Sequence, residues 1–126
     1  MLQEVLAASV LVGALLVVCT ELLTAASARR LAADQRNCAL LELGNAMERA
    51  TARPWDELTP ETLARERLSA WAERRLPAAR LTIEVAAEGG PPNAKRITAA
   101  IQWEDRARRQ VVPQRLTAWK YRSGNR

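Results

Sequence analysis

The chain has 126 residues and a mass of 14.0 kDa, room for one domain with an appended helix and not for two independent cores. The absence of histidine excludes histidine-based acid–base catalysis and histidine metal sites, and two cysteines exclude a disulfide scaffold or a four-cysteine zinc site. Charge is sorted along the chain: residues 5–20 carry none, and from Arg29 onward 19 basic side chains face 12 acidic ones, a balance of +7. That balance could favour nucleic acid or anionic lipid, but alone it defines no binding patch. The basic residues are 17 Arg and two Lys, a bias that a GC-rich coding sequence explains as well as function does.

Val5 to Ala28 reads VLAASVLVGALLVVCTELLTAASA, 24 residues with one charge, Glu21. A bilayer-spanning helix needs about 20 mostly apolar residues. Gly13, with Ala7, Ala8, Ser9 and Ala14, would allow close helix–helix approach. Three readings compete. A secretory signal peptide explains the Ala-Ala-Ser-Ala end but not Glu4 where a basic region is expected. A generic single-pass anchor explains the length, and Arg29-Arg30 would then hold the C-terminal part on the cytoplasmic side. The third reading takes Glu4 as functional, because a carboxylate one step inside an apolar helix calls for a partner from elsewhere.

Residues 29–52 hold one glycine and no proline and continue the helix. Leu40, Leu43, Met47 and Ala50 form one stripe, with Leu31, Cys38 and Leu41 beside it. Pro54 bars regular helix beyond about Arg53. The expectation is one helix of about 50 residues, roughly 75 Å long, apolar in its first half and amphipathic in its second. Cys19 and Cys38 would then lie on the order of 28 Å apart, too far to bridge.

After a loop over 53–59, Thr59-Pro60-Glu61 reads as a helix start, with a Thr cap and Pro at the first helical position. Ala64, Leu68, Trp71 and Ala72 would share a face of a helix over 60–75, ended by Pro77. Strands are expected near 80–87, 95–103 and 111–121. Leu81, Ile83 and Val85 alternate in the first, and Ile97, Ala99, Ile101 and Trp103 in the second. Pro113 marks an edge, a bulge or a late start in the third, whose Leu116 and Ala118 face away from Thr117, Trp119 and Tyr121. Gly89-Gly90-Pro91-Pro92-Asn93 is the first turn, Glu104 to Arg109 a charged second turn, and Ser123 to Arg126 a frayed tail. Three short strands in a row predict an antiparallel meander, too small to stand alone and suited to cover the amphipathic helix.

This order resembles the type IV pilin and type II secretion pseudopilin superfamily. Leu2-Gln3-Glu4-Val5-Leu6-Ala7 is similar to that family's Thr-Leu-Ile-Glu-Val-Leu-Ile-Ala signature. Arg53-Pro54-Trp55-Asp56-Glu57-Leu58, Ile101-Gln102-Trp103 and Arg115-Leu116-Thr117-Ala118-Trp119 resemble stretches of minor pseudopilins and pilus-modification proteins. The resemblance implies an α+β fold: a long N-terminal helix with a membrane half (1–28), and an extracytoplasmic pilin-like domain (29–126) whose three-stranded sheet packs on it. Family members carry a basic leader ending in Gly, removed by a prepilin peptidase that methylates the new N-terminus. In that alignment Leu2 matches the third mature residue and Met1 the second, so the first mature residue and the leader would precede Met1, or processing is lost.

The resemblance further implies a non-catalytic structural subunit of a type II secretion pseudopilus or a type IV pilus. It would be held single-pass in the inner (cytoplasmic) membrane, with its C-terminal domain in the periplasm or outside, and would be extracted into a filament. Glu4 takes the role of the family's glutamate, pairing with the N-terminal amine of a neighbouring subunit. Gly13 is either a loosening or close-packing point or a tolerated membrane glycine. Partners would be other pilins or pseudopilins, the prepilin peptidase, the inner-membrane assembly platform and lipid. No catalytic group, cofactor or metal is expected, and nucleic acid is not an expected partner. The alternatives are a DNA-binding minor pilin for uptake and a generic membrane-anchored domain.

Remaining residues have plainer readings. Trp55, Trp71 and Trp103 fall in apolar patterns and are read as core rather than as stacking platforms for single strands; Trp119 is open. Arg106, Arg108 and Arg109 read as a solvated turn. Asp56, Glu57 and Glu61 lack the ligand count and spacing of a calcium loop. Ser9, Ser27 and Ser69 stand in no nucleophile context.

Overall fold

The computed structural model describes residues 1–88 and 93–122. The elements run α1 (Leu2–Ala52), a 3₁₀ turn (Trp55–Glu57), α2 (Pro60–Leu63), α3 (Ala70–Arg75), β1 (Arg80–Glu88), β2 (Ala94–Gln102) and β3 (Gln114–Tyr121). This is the expected α+β layout, a long N-terminal helix followed by short helices and a three-stranded antiparallel sheet. The chain divides into two compact units, Met1–Asp34 and Gln35–Arg126, and α1 contributes to both. The expected turn at Gly89–Pro92 and the tail from Ser123 lie outside the described residues.

In the first unit every side chain is exposed except the half-buried Leu31. By length and composition α1 is long and apolar enough here to cross a membrane. Three of its hydroxyls bond within the helix: Ser9 donates to the Val5 carbonyl at 2.8 Å, Thr20 to Leu16 at 2.8 Å and Thr24 to Thr20 at 2.9 Å. Backbone acceptors one turn back are the partners that a hydroxyl finds without water.

The second unit has its own core. α1 buries Cys38, Ala39, Glu42, Leu43, Ala46, Met47 and Ala50. Leu43, Met47 and Ala50 belong to the expected stripe, but Leu40 and Leu41 stand exposed. The small residues Ala39 and Ala46 replace them, because the stripe with period 3.6 through Leu43 passes through 39, 46 and 50. Over this stripe lie Leu58, Leu63, Ala72 and Leu76 from the connecting segment, and Ile97, Ala99, Ile101 and Trp103 from the sheet. Burying each large aliphatic side chain stabilises the unit by about 1.5–3 kcal/mol.

The sheet order is β1-β2-β3, both pairs antiparallel. Ile97 pairs with Val85 and Ala118, and Ile101 with Leu81 and Gln114. Central β2 therefore buries Ile97, Ala99 and Ile101 on one face while the edge strands bury theirs in part, as the alternation predicts. β3 is an edge strand that starts directly after Pro113, where the missing N–H breaks no ladder bond.

The single helix expected over 60–75 is instead α2 and α3, separated by residues 64–69. Thr59 caps α2, accepting from the Thr62 N–H at 3.3 Å, with Pro60 at the first position. The break has a long-range cause. Buried Glu42 on α1 accepts from the Ser69 N–H at 3.2 Å and the Ser69 hydroxyl at 2.7 Å. In a continuous helix that N–H would belong to the carbonyl four residues back. Freed from it, Ser69 caps α3 by accepting from the Ala72 N–H at 3.1 Å.

Candidate functional site

The candidate site in the first unit is the start of α1. Glu4 lies in the first turn, where the unsatisfied N–H groups and the helix dipole favour negative charge. Its side chain is exposed and, among the described residues, has no hydrogen-bond or ion-pair partner. Gly13 is likewise open: a Cβ built on it meets nothing within 4 Å. Glycine inside a helix costs about 1 kcal/mol relative to alanine. Among the described residues nothing presses on Gly13.

In the second unit the charged groups fall into two sets. One set is engaged internally. Glu66, between α2 and α3, receives Arg53 Nη2 at 2.8 Å and Arg49 Nε at 3.1 Å. The Arg53 hydrogen bond, helped by Arg49 and opposed by burial, holds the Glu66 carboxyl below the usual glutamate range. Its folded pKa is therefore lower than in the unfolded chain, so its stabilisation is complete at neutral pH. It fades as pH falls from the ordinary glutamate value through the folded one. The stability difference between wild type and Glu66→Gln should hold from neutral pH down to the ordinary glutamate range and shrink as the pH falls below it. Urea titrations at each pH measure it; a constant difference would contradict the pairing.

The two lysines belong to the same set. On β2, Lys95 donates to the carbonyls of Trp55 at 2.9 Å and Leu58 at 3.0 Å, and its ammonium lies 4.6 Å from the centre of the Trp55 ring. On β3, Lys120 donates to the Thr51 carbonyl at 2.7 Å and to the Arg53 carbonyl. The two lysines are direct register partners. Like charges opposite one another are ordinarily unfavourable. Here each ammonium is drawn to a separate group of carbonyls at the C-terminal end of α1 and the loop beyond.

The second set is exposed. Arg106, Arg108 and Arg109 stand on the β2–β3 turn, which Asp105 shapes by accepting from the Ala107 and Arg109 N–H groups, both at 2.9 Å. Arg108 takes a left-handed conformation, φ 58°, within it. On the outer sheet face Arg80, Thr82, Glu84, Thr98, Gln102 and Arg115 help to line a shallow groove of about 290 Å³. Its charges are mixed and its floor is small side chains.

The aromatic expectations divide. Trp103 is core at 2% exposure, but Trp55 is half-buried under Lys95, and Trp71 is 37% exposed with Arg75 4.9 Å from its ring centre. Breaking the expected helix at 64–69 moves the buried face of this segment to Leu63, Ala72 and Leu76 and leaves Trp71 at the rim. Trp119 is exposed, and Arg96 is its register partner on the same outer face. Asp56 and Glu57 on the 3₁₀ turn and Glu61 on α2 are exposed and form no metal-holding cluster among the described residues. Both cysteines are free. Burial and the charge of Glu42 push the Cys38 thiol up, against a smaller opposing effect of Arg75, which keeps it protonated and unreactive at neutral pH.

Sequence reasoning missed the Glu42–Ser69 and Glu66–Arg49/Arg53 links and the lysine caps. The only available signal was the rarity of lysine in an arginine-rich chain. In comparison with known proteins, no family model, curated protein or solved structure matches this chain.

Proposed function

We propose that this chain is a non-catalytic structural subunit of a pilin-like filament, a type II secretion pseudopilus or a type IV pilus, held in the cytoplasmic membrane before assembly with its C-terminal unit outside. One observation carries the reading. α1 runs unbroken from an apolar, uncovered stretch bearing Glu4 into a stretch roofed by a small antiparallel sheet. That order serves a subunit whose membrane helix becomes the packed core of an assembly. In lipid, Glu4 lacks a partner; in the assembly, a neighbour's N-terminal amine supplies one, and a carboxylate–amine pair away from water is favourable only when both members are present. Gly13 gives an approaching helix a place without a side chain.

The test is N-terminal mass spectrometry of the protein made from its native locus and purified from membranes. A methylated N-terminus one residue before Met1 is expected. An unprocessed Met1 would favour the generic anchor, and cleavage after Ala28 a secreted domain.

A further inference from the structure

Six of the exposed arginines of the second unit gather at one of its ends. α3 runs back along α1: Glu42 holds Ser69 at the start of α3, and Gln35 donates to the Arg75 carbonyl at its end, at 3.2 Å. The β2–β3 turn joins the same end, because the Glu104 N–H bonds the Pro77 carbonyl at 2.9 Å. Arg74 and Arg75 of α3 and Arg106, Arg108 and Arg109 of the turn therefore stand together at the Gln35 end, and Arg36 follows Gln35 on α1. All six are exposed. The carboxylates at this end are exposed Asp34, beside Gln35 on α1, and Glu73, with Glu104 and Asp105 on the turn; the last two are half-buried, and Asp105 is bound to backbone amides.

At the opposite end Lys95, Lys120, Arg49 and Arg53 are each bonded to a carbonyl or to Glu66, and exposed Arg96 and Arg122 stand beside that set. Asp56, Glu57 and Glu61 are exposed on the segment that those lysines hold or just beyond it.

We propose that the Gln35 end of the second unit is a contact surface for anionic phospholipid headgroups. The chain itself supplies the proximity. Gln35 comes seven residues after Ala28, the last residue of the apolar stretch. Even fully extended, that length of chain reaches no more than about 25 Å. A membrane holding residues 5–28 therefore keeps this end near its surface, where the local concentration of headgroup phosphate is high. Arginine suits the task because its planar fork binds phosphate in two places. Each arginine that enters the surface potential strengthens the contact by about fivefold at physiological salt. The lipid contact requires α1 to cross a membrane and does not require filament assembly.

The test uses the full chain in lipid nanodiscs, made either of phosphatidylcholine or with about one-third phosphatidylglycerol. Trypsin cuts after arginine, so the turn reports on its own exposure. Cleavage at Arg106, Arg108 and Arg109 is measured relative to cleavage at exposed Arg67, which controls for lipid effects on the protease. In anionic discs the turn should be cut about fivefold more slowly than Arg67, and about 0.5 M salt should remove the difference. In the Arg106→Gln/Arg109→Gln variant, cleavage at the remaining Arg108 should lose most of its lipid dependence. Equal relative rates in the two discs would overturn the proposal while leaving the membrane reading intact. Failure of the chain to enter either disc would overturn both. If a DNA duplex protects the turn in neutral discs and anionic lipid does not, the surface belongs to nucleic acid and the lipid contact is wrong.

Discussion

Glu4→Gln should leave the chain in the membrane at its wild-type level and lower its recovery in sheared filaments by about tenfold or more. The substitution keeps the size and helix propensity of the side chain and removes its charge. Membrane insertion should not suffer, since a neutral amide is easier to place near lipid than a carboxylate. On the proposed function, what is lost is the attraction that would draw a neighbour's amine to this position. Glutamine can still accept a hydrogen bond but offers no charge to an ammonium, and each 1.4 kcal/mol of that difference is a factor of about ten in equilibrium. Glu21→Gln is the matched control, because Glu21 lies in the same helix but not in its first turn. Its recovery should stay within about twofold of wild type. Equal recovery of Glu4→Gln and wild type would remove the assembly role and leave a plain anchor.

The second large effect is on stability. Lys120→Met should destabilise the Gln35–Arg126 unit by about 3 kcal/mol, because two carbonyls lose a charge-assisted donor and have little water to replace it. The last carbonyls of a helix have no partner within it, and Lys120 on β3 supplies one at Thr51 and Arg53. The bond also ties the far edge of the sheet to the end of α1. Lys120→Arg should recover only about half of the loss, because a flat guanidinium cannot take the place of a compact ammonium among converging carbonyls. Urea unfolding of the full chain in detergent, followed by tryptophan fluorescence, reads both variants against wild type. A loss under about 0.5 kcal/mol for Lys120→Met would show that the carbonyls find other donors.

These lysines show where sequence reading stops. A carbonyl has no residue identity, so nothing in the sequence pairs Lys120 with Thr51 and Arg53 or Lys95 with Trp55 and Leu58. The contrast of two lysines with 17 arginines was visible, but a coding bias explained it equally well. With both lysines placed where an ammonium gathers carbonyls, that contrast acquires a physical reason.

Elements with a local cause were legible in the order of residues. The uncharged run set the apolar half of α1, Pro54 its end, Thr59-Pro60 the start of α2, and strict alternation from Ile97 to Trp103 the buried face of β2. Period and capping act over a few residues, and so they can be read from a few residues. The buried side of α1 was settled by packing instead. Leu40 and Leu41 fit a helical stripe as well as Ala39 and Ala46 do, and only the position of the covering layers decides which side is buried. Packing also set the break at 64–69, since Glu42 is 27 residues from Ser69 and takes the donors that a continuous helix would have used. Last, it brought α3 and the β2–β3 turn to one end and so turned scattered arginines into a surface. Long-range pairing of side chains with backbone leaves no periodic trace in a sequence, and it is there that the folded chain adds what the residues in order do not show.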